Sequence, residues 1–437
     1  MKVAGVVSAG VSVGALSMTP AVHAQGSDVI KVGLVGCGNR GMGSLMDSLK
    51  AGGPIKIIAL GDVDQAKAAK GMEDLNKMED QKAKIDLSSD RLFTGFDAHK
   101  KVTDLVDLVY IASPAGFHPD HYLYAVEKGK HVFVEKPLCV DPEGFRRCMK
   151  ANKIAEEKGL TVCIGFQRRH EARYLQWVSR IHAGFIGDVI STRMYWNGGG
   201  GGASVRPRGA NETELEYQIR SWYSFSWLCG DHIVEQHCHN LDVGNWIHGK
   251  GDPMAHPVSC VGQGGRQMRK AGNIFDHHYV EYRYADGSVM YSTCRQMPNC
   301  WSKVGELITG SKGTGDTDWG AVWLQPTGGE RWTQRQNQDT NPYVQEHIDQ
   351  SNAIQKGERL HDGWHASHAS MTAVMGRMAT YSGQEIKWDD AVAKGRTLFP
   401  YDKALTFATE PPIVVGANGN YEHAVAGPGE YDPFDKV

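Results

Sequence analysis

Short apolar runs separated by amphipathic stretches set the rhythm of the first third of the chain. Val29 to Val35, Ile55 to Leu60, Leu108 to Ala112, His131 to Val134 and Thr161 to Ile164 each read as a buried strand. Between them, Met42 to Lys50, His121 to Lys128 and Asp141 to Glu157 carry helical spacing. Strands alternating with helices predict a doubly wound parallel sheet, here over residues 28–164. Beyond residue 165 the texture changes. Val189 to Trp196, Tyr279 to Tyr284 and Val289 to Cys294 alternate apolar and polar positions, as half-buried antiparallel strands do. Asp286-Gly287 between the last two predicts a hairpin. Residues 165–437 are thus expected to form a second, α+β domain on a large, mainly antiparallel open sheet.

The first 24 residues do not read as part of either domain. Met1-Lys2, small and apolar residues to Leu16, and Val22-His23-Ala24 before Gln25 fit an export signal. The run is too short and too rich in Gly and Ser to span a membrane. An exported, periplasmic location is expected, or a cytoplasmic one if the segment is not a working signal. The charged part is short, which leaves open an earlier start and a twin-arginine route. With 41% hydrophobic and 22% charged residues among 437, the chain is neither disordered nor fibrous. A net charge of −3 leaves no footprint for nucleic acid or an anionic membrane. Nine cysteines without a Cys-x-x-Cys pair argue against a zinc ribbon or a disulfide framework. Fifty-two glycines are an excess that turns or close approaches of backbone to ligand would explain.

Gly36-Cys37-Gly38-Asn39-Arg40-Gly41 follows the first strand and opens a helix. In that setting Gly36 closes the strand, Gly38 admits a pyrophosphate and Gly41 permits close helix–strand packing, with the phosphates at the helix N-terminus. Asp62 ends the second strand about 20 residues further on, where a carboxylate accepts ribose hydroxyls and favours NAD over NADP. A plain glycine turn is the simpler alternative. Gly198 to Gly202 reads as a mobile loop near a ligand cleft or as an ordinary connector.

Ser113-Pro114 with His118, and Gly129-Lys130-His131-Val132-Phe133-Val134-Glu135-Lys136-Pro137, come next. With the glycine loop, Gly165-Phe166-Gln167-Arg168-Arg169 and Gly184-Phe185-Ile186-Gly187-Asp188, they make the chain resemble the Gfo/Idh/MocA family of sugar and polyol oxidoreductases. The resemblance implies an N-terminal Rossmann domain that binds NAD through Gly36, Cys37, Gly38, Asn39, Arg40, Gly41, Asp62, Ser113, Pro114, His118, Glu135 and Lys136. It also implies a carbohydrate substrate, a homo-oligomer and a Lys136–Pro137 bond that is often cis.

Leu228 to His248 is dense in polar residues. Read as one helix, it places His232, Glu235, His239, Asp242 and Trp246 on one face. Three uses remain open for that face: an imidazole poised near neutral pH as general base, a metal site, or a satisfied polar helix without chemistry. His365 and His368 are expected on a C-terminal helix. The resemblance matches Glu235, His239 and Asp242 to an acid, a His and an Asp, with Glu replacing the more usual Asp. It implies that His239 takes a hydroxyl proton, that Glu235 orients His239, and that Lys136 stabilises the developing alkoxide. Arg168, Trp222 and Asp242 are candidates for substrate binding, and Trp222, Tyr223, Trp227 and Trp246 for stacking on a sugar. Two alternatives use the same residues: an NAD-dependent glycoside hydrolase working through transient oxidation at C3, and a non-catalytic NAD-binding sensor.

Overall fold

Six parallel strands form the first sheet: β1 (Ile30–Val35), β2 (Ile55–Asp62), β3 (Leu92–Thr94), β4 (Leu108–Ile111), β5 (His131–Val134) and β6 (Val162–Ile164). Their order is β3-β2-β1-β4-β5-β6, so the chain reverses direction of winding between β1 and β4. The computed structural model describes residues 29–199, 206–318, 320–335, 340–417, 419–427 and 431–434. The proposed signal and most of the glycine run, from Gly200 to Ser204, lie outside the described residues.

The strands are near-continuous apolar because helices cover both faces. Two of these helices start at a side-chain cap. Asp64 accepts the Ala66 N–H and Asp141 the Gly144 N–H, opening Gln65–Asn76 and Pro142–Glu157. The sequence pattern missed β3, an edge strand of three residues whose side chains are only partly buried.

The second sheet has nine strands: β7 (Val189–Gly198), β8 (Ser259–Gly265), β9 (His277–Arg283), β10 (Val289–Gln296), β11 (Lys303–Gly310), β12 (Gly313–Thr317), β13 (Ala321–Pro326), β14 (Trp332–Arg335) and β15 (Ile386–Lys387). They run in the order β14-β13-β12-β11-β7-β10-β9-β8-β15. Among the described residues of this sheet, only β7 and β10 pair in parallel. The predicted hairpin joins β9 to β10, with Gly287 at φ +86°. Alternation along β10 buries Met290, Ser292, Cys294 and Gln296 and turns Tyr291 outward.

The two layers are locked by helices from the C-terminal third. Pro342–Lys356 crosses back to pack on the Asn39–Ala51 helix, and Gly363–Ser382 packs against Pro142–Glu157 as well as β8 and β9. The latter helix is mostly apolar or small, and 18 of its 20 residues are buried, Arg377 among them with its guanidinium on the Val140 and Gly230 carbonyls. Among the described residues, no helix is long and apolar enough to cross a membrane. All nine cysteines are free thiols, eight of them buried.

The expected single helix from Leu228 to His248 is instead three: Ser226–Cys229, His232–Glu235 and Cys238–His248. Gly230 at φ +75° ends the first, and Asp231 at φ +81° redirects the chain into the second. A kinked path cannot keep His232 and Trp246 on one face.

Candidate active site

A cavity of about 940 Å³ lies along the carboxyl ends of β1, β2 and β4, where the sheet changes direction of winding. Its wall includes the whole loop Gly36 to Gly41, together with Asp62, Ser113, Pro114, His118, Glu135 and Lys136. From the second domain come Trp196, Glu235, Gln236 and His239.

The glycine loop has the shape of a phosphate cradle. A Cβ at Gly36, whose φ is +95°, would lie 2.6 Å from the Ala112 carbonyl, and one at Gly41 would lie 2.0 Å from the Gly36 carbonyl oxygen. At Gly38, by contrast, a Cβ would meet nothing within 4 Å. Gly38 also precedes the Asn39–Ala51 helix without a side-chain cap, so that helix's first N–H groups stay available to an anion. Asp62 accepts the N–H groups of Cys37 (2.7 Å) and Asp64 (2.8 Å), one on each oxygen, leaving each oxygen a lone pair for a ribose hydroxyl. Burial pushes this carboxyl up from its ordinary value while those two N–H groups pull it down. The donor set therefore fits a dinucleotide.

At the other end, Lys136 Nζ donates to the Glu235 carbonyl (2.6 Å) and approaches Glu235 Oε1 (3.2 Å). The Lys136–Pro137 bond is cis. His118 bridges the turn, its ring nitrogens 2.8 Å from the Pro137 carbonyl and 2.6 Å from the Ser113 carbonyl. Glu135 holds Arg40 (2.5 Å) and accepts from Ser44 (3.0 Å). The His239 ring stacks on Trp196 (5.7 Å, 16°) and meets Phe166 edge-on (5.6 Å).

A family model described as an oxidoreductase family with an NAD-binding Rossmann fold matches residues 30–166. Residues 30–166 belong to the Gfo/Idh/MocA family.

An inositol 2-dehydrogenase/D-chiro-inositol 3-dehydrogenase of Halalkalibacterium halodurans is 34% identical over 38% of this chain and 43% of its own length. An inositol 2-dehydrogenase of Agrobacterium fabrum is 32% identical over 33% of this chain and 39% of its own. The matched stretch spans less than half of either curated relative. Among solved structures, levoglucosan dehydrogenase in complex with NADH and levoglucosan superposes with a TM-score of 0.64 at 14% identity, over 82% of this chain and 99% of that one. The aldose-aldose oxidoreductase of Caulobacter crescentus, complexed with glycerol, gives 0.63 at 16% identity over the same shares. At such identities the likeness is one of fold.

Several expected site residues stand elsewhere than on this cavity. Arg168 and Asp242 are off the cavity wall. Arg168 is bonded to buried Glu306 (2.7 Å), and Asp242 is gripped by both arms of Arg169 (2.8 Å each) and by His365 (3.2 Å). A buried charge must be paired, and these pairs absorb both side chains. Trp222 and Tyr223 do line the cavity. Trp227 is fully buried with its indole N–H on Gln218, and Trp246 packs against the Arg169 guanidinium, 4.3 Å from the ring centre. His232 is sealed in the interior beside Asp231 and His278. Trp196, Gln236 and Tyr343 had no motif to announce them. Tyr343 arrives from a helix some three hundred residues beyond the glycine loop in sequence.

The expected link from Glu235 to His239 is replaced by the one to Lys136. His239 Nδ1 has no hydrogen-bond partner among the described residues. Burial, and then the positive charges of Lys136 and Arg168, hold the imidazole well below its usual range rather than near neutral pH. Burial pushes Glu235 up to about 7 against the pull of Lys136. Burial also works against the Lys136 ammonium, but Glu235 and its neighbours outweigh it and keep that pKa above the ordinary lysine value.

Proposed function

We propose that this protein is an NAD-dependent oxidoreductase that moves a hydride between a hydroxyl-bearing carbon of a sugar, glycoside or polyol and a tightly held nicotinamide cofactor. The supporting observation is that Lys136 and His239 share one cavity with the glycine cradle and Asp62. When bound, the nicotinamide supplies the hydride acceptor. Asp62 favours NAD over NADP, because a 2′-phosphate would meet its carboxylate; of the two lysines on the same wall, Lys67 and Lys70, the latter is already paired with Asp74 (2.8 Å).

The chain's own residues then handle the alcohol proton. Lys136 spends two N–H bonds on Glu235 and retains a third for the substrate oxygen, where negative charge develops. Neutral His239 offers its ring N–H to the same oxygen and aligns the hydroxyl so that its hydrogen faces Lys136. Because His239 stays neutral, the group that changes charge in the working range is Glu235: Lys136 passes a proton to Glu235 Oε1, and its freed nitrogen takes the hydroxyl proton, which restores the ammonium. A carboxyl at about 7 is neutral below that pH and anionic above it. Sugar oxidation should therefore speed up as pH rises through about 7, and Glu235→Gln should flatten that limb. A rising limb that survives in the variant would show that another group titrates.

The same geometry serves a redox-neutral glycoside cleavage, in which oxidation at C3 acidifies the neighbouring C–H bond before elimination. A panel of sugars, inositols and aryl glycosides separates the two: net NADH formation marks the dehydrogenase, aglycone release at constant cofactor redox state the hydrolase. A pure sensor would bind dinucleotide and do neither. The N-terminal apolar segment supports export as part of this proposal. A homo-oligomer is supported by Val261 and Tyr279, which leave apolar surface on the outer face of the second sheet.

A further inference from the structure

Two segments outside both sheets close on the adenosine end of the groove. The first carries the Glu214–Arg220 helix, whose Ile219, with Trp222 just beyond it, stands on the same wall as Asp62 and Val63. Arg220 Nε lies 3.3 Å from Asp64 Oδ2, two residues past the ribose-binding carboxylate. The second comprises residues 396–417 and 419–421. Phe96 and Phe117 line the cavity, and behind them Phe407 and Phe399 pack edge-on, 5.2 and 4.9 Å between ring centres.

Both segments are anchored. Buried Asp141 accepts the N–H groups of Leu398 and Phe399 (2.8 Å each) and the Tyr401 hydroxyl (3.2 Å). The segments also hold each other: Gln218 Nε2 donates to the Ile413 carbonyl (2.5 Å) and the Tyr421 hydroxyl to Glu214 (2.6 Å). These contacts hold Ile219 and Trp222 of the first segment on the cavity wall beside Asp62.

We propose that the two segments form a clasp that keeps the dinucleotide in place through successive turnovers, with Arg220 and Phe407 as positioning residues. The proposal rests on the dinucleotide reading of the groove. It requires that the hydride and proton taken from one hydroxyl-bearing carbon be returned in the same groove to a carbonyl carbon and its oxygen. That carbonyl belongs either to a second sugar or to the oxidised glycoside after elimination and addition of water.

The test begins with protein purified without added nucleotide, from which dinucleotide is released by acid and quantified. About one per chain is expected. Exchange of bound cofactor against isotopically labelled NAD then gives the release rate, expected to be slower than turnover. An ion pair and an aromatic contact each contribute about 1 kcal/mol. Arg220→Ala and Phe407→Ala should therefore each release cofactor about fivefold faster, and Arg220→Lys should recover much of the loss. Wild-type protein that binds dinucleotide but exchanges it faster than it turns over would overturn the clasp while leaving the dinucleotide reading intact. Release at the wild-type rate in both folded variants would overturn it too. Protein that binds no dinucleotide at all would remove the reading and the clasp together.

Discussion

Lys136→Met is expected to lower turnover by about three orders of magnitude while dinucleotide still binds. Methionine keeps the apolar stem and approximate length of lysine, so the cis turn and its packing have no steric reason to change. What disappears is the donor that faces the substrate oxygen. Loss of one preorganised donor to a developing oxyanion costs about 10²–10³ in rate, and loss of the proton path adds to that. The variant also leaves Glu235 buried without its cation, so its carboxyl shifts further toward the neutral form and can no longer accept a proton near neutral pH. Cofactor contacts along Gly36 to Gly41 and at Asp62 are untouched, so titration with NADH should give near-unchanged affinity. Turnover within tenfold of wild type would remove Lys136 from the chemistry.

The second large effect separates two glycines that a motif treats alike. At Gly41 a methyl group would press to 2.0 Å from the Gly36 carbonyl oxygen and 3.1 Å from Ala112 Cβ, and backbone cannot swing aside as a side chain can. Gly41→Ala should push the Asn39–Ala51 helix off the strand ends, destabilising the domain by about 1–3 kcal/mol as overpacking does. Dinucleotide affinity should fall with it, by about two orders of magnitude, because the helix N-terminus no longer points where the phosphates sit. At Gly38 the methyl group meets no protein atom, so Gly38→Ala should leave the melting temperature unchanged. Its methyl group projects into the space a pyrophosphate needs, and affinity should still drop at least tenfold. Thermal melts with parallel cofactor titrations check both. A Gly38 variant that melts early yet binds normally would reverse the two roles.

These contrasts mark how far the sequence could be read. Strand and helix periodicity located five of the six strands of the first sheet, because both faces are covered and the runs are continuously apolar. It missed Leu92–Thr94, which is short and half exposed. The loop at Gly36 and the Glu135-Lys136-Pro137 turn were legible because their chemistry is local, compressed into a few consecutive residues. The kink at Gly230 and Asp231 was not, since helical spacing on both sides of it looks continuous. Nor were the partners of Arg168 and Asp242 visible, because Glu306 and His365 come from distant elements that only folding brings near. The same distance hid the true partner of Glu235. Spacing within one segment suggested His239, whereas the ammonium group that reaches Glu235 is on the other domain.

The claim on which all of this depends is that a carbon-bound hydrogen passes between a sugar and the nicotinamide in this groove. It is tested most directly by mixing cofactor-loaded protein with sugars, inositols and glycosides deuterated at their hydroxyl-bearing carbons. The reaction is quenched within one turnover, and the nicotinamide ring is examined by mass spectrometry. Deuterium on the ring is the predicted result, for a net dehydrogenase and for a redox-neutral glycosidase alike. Bound cofactor that stays unlabelled across the whole panel would contradict the account.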